Sequence, residues 1–273
     1  MKKNIINIII YVVLLIIIII YIFPILWTFL VSIKTPADAF SLPPKFIFKP
    51  TFQYYYDLWI KLDFFNYLKN SLIISFFTVI ISIGISGIAS FALTFYKKRI
   101  SGTILIIVLF LRMFPRFALL IPFFVMSVRF GLFDTRTIIV LIMVALNQPF
   151  AIWMMRGFFL DVPMDLIDAA RIDGCNMFGT YARVVTPVIL PGLIATGIFT
   201  FLFAYNEFLI PLVLTSVNTK TLPVAIAEYS AEDLGYWSLA AAGAISIAAP
   251  AIIIIAFFQK YLVKGLMSGS LKE

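Results

Sequence analysis

Six stretches of this sequence are too long and too apolar to belong to a water-soluble globule. They cover residues 8–31, 71–95, 103–128, 137–155, 188–214 and 239–258. Each has about the 20 residues needed to cross a bilayer core. The rest of the chain agrees: 63% of its 273 residues are hydrophobic and 12% are charged, where a soluble protein has roughly 25% charged. The mean hydropathy is +1.07. The expected fold is an all-α integral membrane protein of six transmembrane helices. The first stretch follows Lys2 and Lys3 as a signal peptide would. Its apolar run is much longer than a signal h-region, and no small-x-small cleavage site follows, so it reads as an uncleaved span.

Several chemistries fall away at once. With no histidine, the chain lacks Ser-His and Cys-His catalysis and the commonest metal ligand. The single cysteine, Cys175, forms no internal disulfide and no Cys-x-x-Cys site, and reads as a small structural residue. The net charge of +8 is not a nucleic-acid signal, because the basic residues are scattered at segment ends, where they anchor and orient membrane helices. The expected partner of these helices is lipid, and neither a metal nor a catalytic residue is expected.

The spans carry Pro24, Pro115, Pro122, Pro149, Pro191, Pro211 and Pro250. Breaks at such positions are tolerated in lipid where neighbours or a cavity satisfy the freed backbone groups. Gly84, Ser86 and Gly87, and Ala240, Ala244 and Ala248, form small-residue faces suited to close helix packing.

Placing the N-terminus inside puts eleven basic residues on inner segments: Lys2, Lys3, Lys97, Lys98, Arg99, Arg156, Arg171, Arg183, Lys260, Lys264 and Lys272. Eight fall outside: Lys34, Lys45, Lys49, Lys61, Lys69, Arg129, Arg136 and Lys220. The bias favours cytoplasmic N and C termini. The organisation expected is an N-terminal helix over 1–33, an extracytoplasmic segment over 34–69, a core over 70–258 with a cytoplasmic loop at 157–187, and a cytoplasmic tail over 259–273. Tyr54, Tyr55, Tyr56 and Trp59 suit a segment at the headgroup level.

The inner loop carries the most information. Residues 161–174 read DVPMDLIDAARIDG. Pro163 suits a first helical turn. Asp161 and Asp165 answer the positive end of the helix dipole and Arg171 the negative end. Gly174 is a natural left-handed stop. Asp161, Asp165 and Asp168 share one stripe, while Pro163, Leu166, Ile167 and Ala170 share another. A second short helix is expected over 176–185, before Pro187. An acidic face is repelled by anionic lipid, so this helix–Gly–helix element reads as a docking site for a cytoplasmic protein rather than as a helix lying on the bilayer.

Asp168-Ala169-Ala170, then Gly174, then Val184-Val185-Thr186-Pro187 resembles the permease signature of bacterial ABC importers. That signature begins Glu-Ala-Ala and ends Ile-x-Leu-Pro. Arg156-Gly157-Phe158-Phe159, Tyr205-Asn206-Glu207-Phe208-Leu209, Thr221-Leu222-Pro223-Val224 and the run 259–266 resemble carbohydrate-importer permeases, and the whole is similar to the smaller permease subunit of maltose-type uptake systems. The resemblance implies a type I ABC importer transmembrane domain and a transport subunit rather than an enzyme. It implies a second permease subunit, two ATP-binding ABC subunits and an extracytoplasmic substrate-binding protein. It also implies a coupling helix with Leu166, Asp168, Ala169, Ala170, Arg171, Asp173, Gly174 and Pro187 at the ATPase contact. None of the 13 glycines is followed by lysine, so the chain has no P-loop. The chain thus has no cofactor of its own, and ATP is expected on the partner subunits.

Charges also lie inside the spans. Arg112 and Arg116 are one helical turn apart, and Glu207 follows Tyr205 and Asn206. On straight helices Arg112 sits roughly 17 Å, Arg116 roughly 23 Å and Glu207 roughly 29 Å above the inner surface, making Arg116 the expected partner of Glu207. Two readings stay open: these five residues line the outer half of a translocation path, or the ion pair ties two spans together. An ion-coupled secondary transporter would also use intramembrane charges, but it leaves the loop at 168–187 unexplained. A membrane enzyme would have carboxylates only on a solvated helix face. A di- or oligosaccharide is the substrate the resemblance favours.

Overall fold

The computed structural model describes residues 2–95, 98–232 and 236–268; for 2–5, 98–99, 230–232 and 262–268 it describes the backbone alone. Lys97 and Lys272, counted above among the inner charges, lie outside the described residues, as does the end of the tail. The described residues are helical throughout apart from turns and loops. The principal helices are α1 (Lys2–Ser32), α2 (Phe64–Phe95), α3 (Lys98–Arg112), α4 (Arg116–Arg129), α5 (Arg136–Leu160), α6 (Met164–Ile172), α7 (Met177–Val188), α8 (Leu190–Tyr205), α9 (Leu209–Leu214), α10 (Leu222–Glu232) and α11 (Trp237–Ser268). Four of them are long and apolar enough to cross a membrane singly: α1, α2, α5 and α11.

The third expected stretch is not straight. It breaks after Arg112, and α3 and α4 meet at 85°. Pro115 causes this: it has no N–H to donate and excludes helical geometry at the residue before it. The fifth stretch is also interrupted. Helix α8 stops at Tyr205, and α9 begins at Leu209. Depths counted along straight helices therefore fail beyond Met113 and beyond Tyr205. Proline identity alone did not locate the breaks, since Pro24, Pro122, Pro149 and Pro250 all sit inside continuous helices.

The chain divides into two compact units, residues 1–66 with 222–250, and residues 67–221 with 251–273. In the first, the chain leaving α1 folds back beneath an aromatic cage. Lys34 is buried, its Nζ donating to the Lys45 carbonyl at 2.6 Å and lying 4.8 Å from the Trp27 ring and 4.9 Å from Phe48. The aromatic faces compensate a cation removed from water. Thr51 N–H donates to the Ile33 carbonyl at 2.9 Å, closing the fold-back. Residues 6–26 of α1 are exposed on every side.

In the second unit α5 is the central element. More than half of its apolar window is buried (56%), against none for α1. Ile138, Ile139, Ile142 and Met143 pack with Ile74 of α2 and with Ile210 and Leu214 of α9. Its C-terminal end joins a second cluster, described below. An apolar groove of about 960 Å³ runs between α2, α8 and Ile254 and Phe258 of α11.

Candidate functional site

The loop at 157–187 folds as two helices around a left-handed turn. Pro163 precedes α6 rather than opening it, with φ −59° and ψ 136°. It lies one residue earlier than expected because the extended value of ψ ends the preceding turn. Gly174 has φ +81°. Its N–H donates to the Arg171 carbonyl at 3.0 Å, and the Cys175 N–H donates to the Ala170 carbonyl at 2.9 Å. This pair of bonds is the Schellman closure, which satisfies the carbonyls left open at a helix end. Asn176 then caps α7, accepting from the Gly179 N–H at 2.7 Å. Helix α7 runs through a π-helical turn and continues to Val188, so Pro187 lies within it rather than after it. Its missing N–H is accommodated because the π-helical turn over Thr180–Val185 comes immediately before it and already interrupts the regular hydrogen-bond ladder.

One side of this loop is fastened to the bundle. Ile167 and Val185 are fully buried, packing with Phe91 and Phe95 of α2 and Met155 and Phe159 of α5. Ring centroids connect the cluster: Phe91–Phe95 at 5.2 Å, Phe91–Tyr181 at 5.4 Å and Phe91–Phe159 at 5.8 Å. Gly87 permits the approach, since a Cβ there would run into the Tyr181 hydroxyl. Burial at this density resists local distortion, so α6 is packed as one body with the ends of α2 and α5.

The other side is open. Leu166, Asp168, Ala169, Arg171, Asp173 and Gly174 are exposed, as is Pro187. Arg171 pairs with Asp168 at 3.1 Å on the solvent side. Ala170 does not join them: it is 4% exposed and faces the bundle with Ile167. The apolar stripe expected for one face is therefore split, Ile167 and Ala170 inward, Pro163 and Leu166 outward. Ile172 and Phe178 were not singled out from the sequence, yet they are 86% and 65% exposed. The available signal was Ile172, an isoleucine four residues after Asp168 on the acidic stripe.

The two helix breaks also meet. Arg116 is the first residue of α4, and its Nη1 donates to Glu207 Oε2. Oε1 of Glu207 accepts from the Leu209 N–H at 3.1 Å. One buried carboxylate thus neutralises Arg116 and caps α9 where α8 has ended. Asn206 uses its side-chain amide to close α8, donating to the Leu202 carbonyl at 2.9 Å. Tyr205 is 1% exposed and stacks on Phe201 at 5.2 Å, so it belongs to the packed interior of this chain. Arg112 lies elsewhere: its guanidinium is 4.8 Å from the Phe150 ring and 5.4 Å from Phe203. That cradle was not legible in the sequence, because α5 and α8 supply one ring each.

Comparison with known proteins bears on both regions. Residues 82–268 match the family described as binding-protein-dependent transport system inner membrane component. The chain is 34% identical over 257 residues to the trehalose transport system permease protein SugB of Mycobacterium tuberculosis, covering 91% of this chain and 92% of that one. It is 32% identical over 253 residues to the sulfoquinovosyl glycerol transport system permease protein SmoH of Agrobacterium fabrum, covering 92% and 89%. In fold it matches a chain of a bacterial ABC transporter involved in import of the acidic polysaccharide alginate, with a TM-score of 0.77 and 21% identity, covering 95% of this chain and 97% of that chain. This protein therefore belongs to the binding-protein-dependent inner membrane components, as a multi-pass ABC transporter permease subunit rather than an enzyme.

Proposed function

We propose that this chain forms one half of the translocation path of a sugar importer and receives its drive through the loop at 157–187. The observation that carries this reading is the two-sided loop. Ile167 and Val185 are anchored among the bundle aromatics, while Leu166, Ala169, Ile172 and the charges around them face away. A helix fastened on one side and free on the other suits a lever moved by a separate ATPase. The ATP sits on two such ABC subunits. A second permease completes the path, and an extracytoplasmic binding protein delivers the substrate.

Counting α3 with α4, bent by 85°, and α7 with α8, bent by 83°, each as one span makes six spans, with both termini cytoplasmic and the 34–69 segment outside. The charge bias supports that orientation. Relatives named for trehalose, arabinooligosaccharide and sulfoquinovosyl glycerol transport support a sugar or glycoside substrate, and the first two support one of di- or oligosaccharide size. Arg112, Arg116 and Asn206 are exposed on this chain and contribute to the path wall, with Glu207 holding Arg116 in place.

The test is copurification and coupling. The tagged chain brings down an ATPase and a second permease, and a glycan-loaded binding protein stimulates ATP hydrolysis. Leu166→Asp places charge on the free side of α6 without touching the anchored side. It leaves the chain inserted and lowers ATPase capture or separates hydrolysis from transport. Wild-type coupling in Leu166→Asp would remove the docking assignment, and transport with no ATPase bound would favour the ion-coupled alternative.

A further inference from the structure

The chain between α9 and α10 has no regular structure, yet side chains from elsewhere in the bundle bond its backbone at Ser216, Asn218, Thr219 and Lys220. Asp134, at the turn between α4 and α5, has φ 55°, a conformation that costs an ordinary side chain energy and that Asp tolerates better than most. Its Oδ1 accepts from the Ser216 N–H at 2.9 Å, the Thr219 N–H at 3.1 Å and the Thr219 hydroxyl at 2.7 Å. Its Oδ2 accepts from the Asn218 N–H at 3.0 Å and the Asn218 side-chain amide at 2.9 Å. Its own N–H donates to the Leu214 carbonyl at 3.1 Å.

A second side chain holds the carbonyls of the same segment. Asn70, 3% exposed on α2, donates through Nδ2 to the Lys220 carbonyl at 2.9 Å and the Asn218 carbonyl at 3.2 Å. Arg136 donates through Nε to Asn70 Oδ1 at 2.8 Å and so orients that amide. Between the pinned Ser216 and Asn218 stands Val217, 84% exposed. A loop tip normally moves freely. Here a carboxylate and an amide remove that freedom and hold an apolar side chain out from the surface.

We propose that Asp134 is a positioning residue for transport, holding segment 215–220 in the conformation that receives the substrate-loaded binding protein, with Val217 as the presented contact. This rests on the importer reading and on its orientation, which places the turn before α5 outside. Ordering the segment before the encounter lowers the entropy lost on docking. Asp134 itself touches neither substrate nor partner.

The experiment uses the reconstituted complex with the glycan-loaded binding protein that copurifies with it. Amide exchange of segment 215–220 and the binding-protein concentration that half-saturates ATPase stimulation are measured together. Asp134→Ala speeds exchange and raises half-saturation about tenfold, with the saturated rate within about twofold of wild type. Asp134→Asn, which keeps the size and one acceptor, lies between the two. Val217→Ser raises half-saturation while leaving exchange unchanged. Faster exchange with unchanged half-saturation in Asp134→Ala would overturn the proposal, and so would unchanged exchange. No stimulation of the wild-type complex would instead overturn the importer reading, and this proposal with it.

Discussion

The Gly174 turn and the 215–220 segment are both irregular backbone between helices, and opposite forces hold them. The first is fixed by apolar burial: Ile167, Val185 and Phe159 are fully buried, and the polar groups of α6 point away. The second is fixed by charge-assisted hydrogen bonds, from backbone N–H groups to one carboxylate. Apolar packing is non-directional and grades with area. A carboxylate that accepts from several donors is directional, and losing it releases all of them at once. A loop that transmits force needs the first kind of fixture, because it must move as a block with its helices. A loop that presents a surface needs the second, because its own backbone conformation is the product.

The largest expected difference comes from emptying the apolar fixture. Phe159→Ala removes a ring in contact with Phe91, Phe95 and Tyr181. It should destabilise the chain by about 3–5 kcal/mol, read as a lower thermal midpoint of the detergent-solubilised complex. Amide exchange of segment 215–220 should stay as in wild type, and a matching loosening there would mean that the two fixtures are not independent.

A smaller effect separates them by pH. Burial alone would raise the Asp134 carboxyl, but the hydrogen bonds from Ser216, Asn218 and Thr219 outweigh it and hold it at about 2, against 3.8 for a free side chain. A depressed value means that the carboxylate's contribution is complete above pH 3.8 and is lost as the pH falls toward 2. Protection of the Ser216, Asn218 and Thr219 amides should be flat from neutral pH to about 4 and then fall. Asp134→Asn should abolish that step. The Gly174 turn, closed by backbone bonds and apolar contacts, should show no step in this window.

The smallest expected effect is at the turn itself. A Cβ on Gly174 meets no atom within 4 Å, so only the left-handed backbone resists it. Gly174→Ala should cost about 1–2 kcal/mol, and Gly174→Asn less, measured by the same thermal midpoint. A cost for Gly174→Ala as large as for Phe159→Ala would place the rigidity in the turn rather than in the aromatic cluster.

Much of this architecture is legible because local rules decide it. Apolar runs of about 20 residues must be helices in lipid, since a helix satisfies its backbone within the run and a barrel strand needs only about half that length. Gly174 marks the end of α6 by conformational preference and Asp165 and Arg171 mark its two ends by charge against the helix dipole, and the Ala169–Ala170–Gly174 spacing carries the family. The Arg116–Glu207 pairing was legible too, but for an incomplete reason: the depths assumed straight helices, and the pair forms because both helices break there. Which prolines break a helix was not legible, because Pro122 and Pro149 have the same chemistry as Pro115 and differ only in their surroundings. Nor was Ala170's inward face, since a short amphipathic helix carries two apolar edges and only the bundle chooses between them. The sequence alone determined a multi-helix membrane permease with a helix–Gly–helix loop at 161–187. Only the tertiary structure brought Asp134 to residues 82–85 positions later, and Arg112 between the Phe150 and Phe203 rings. Contacts at that separation depend on how helices pack, and no local pattern encodes the packing.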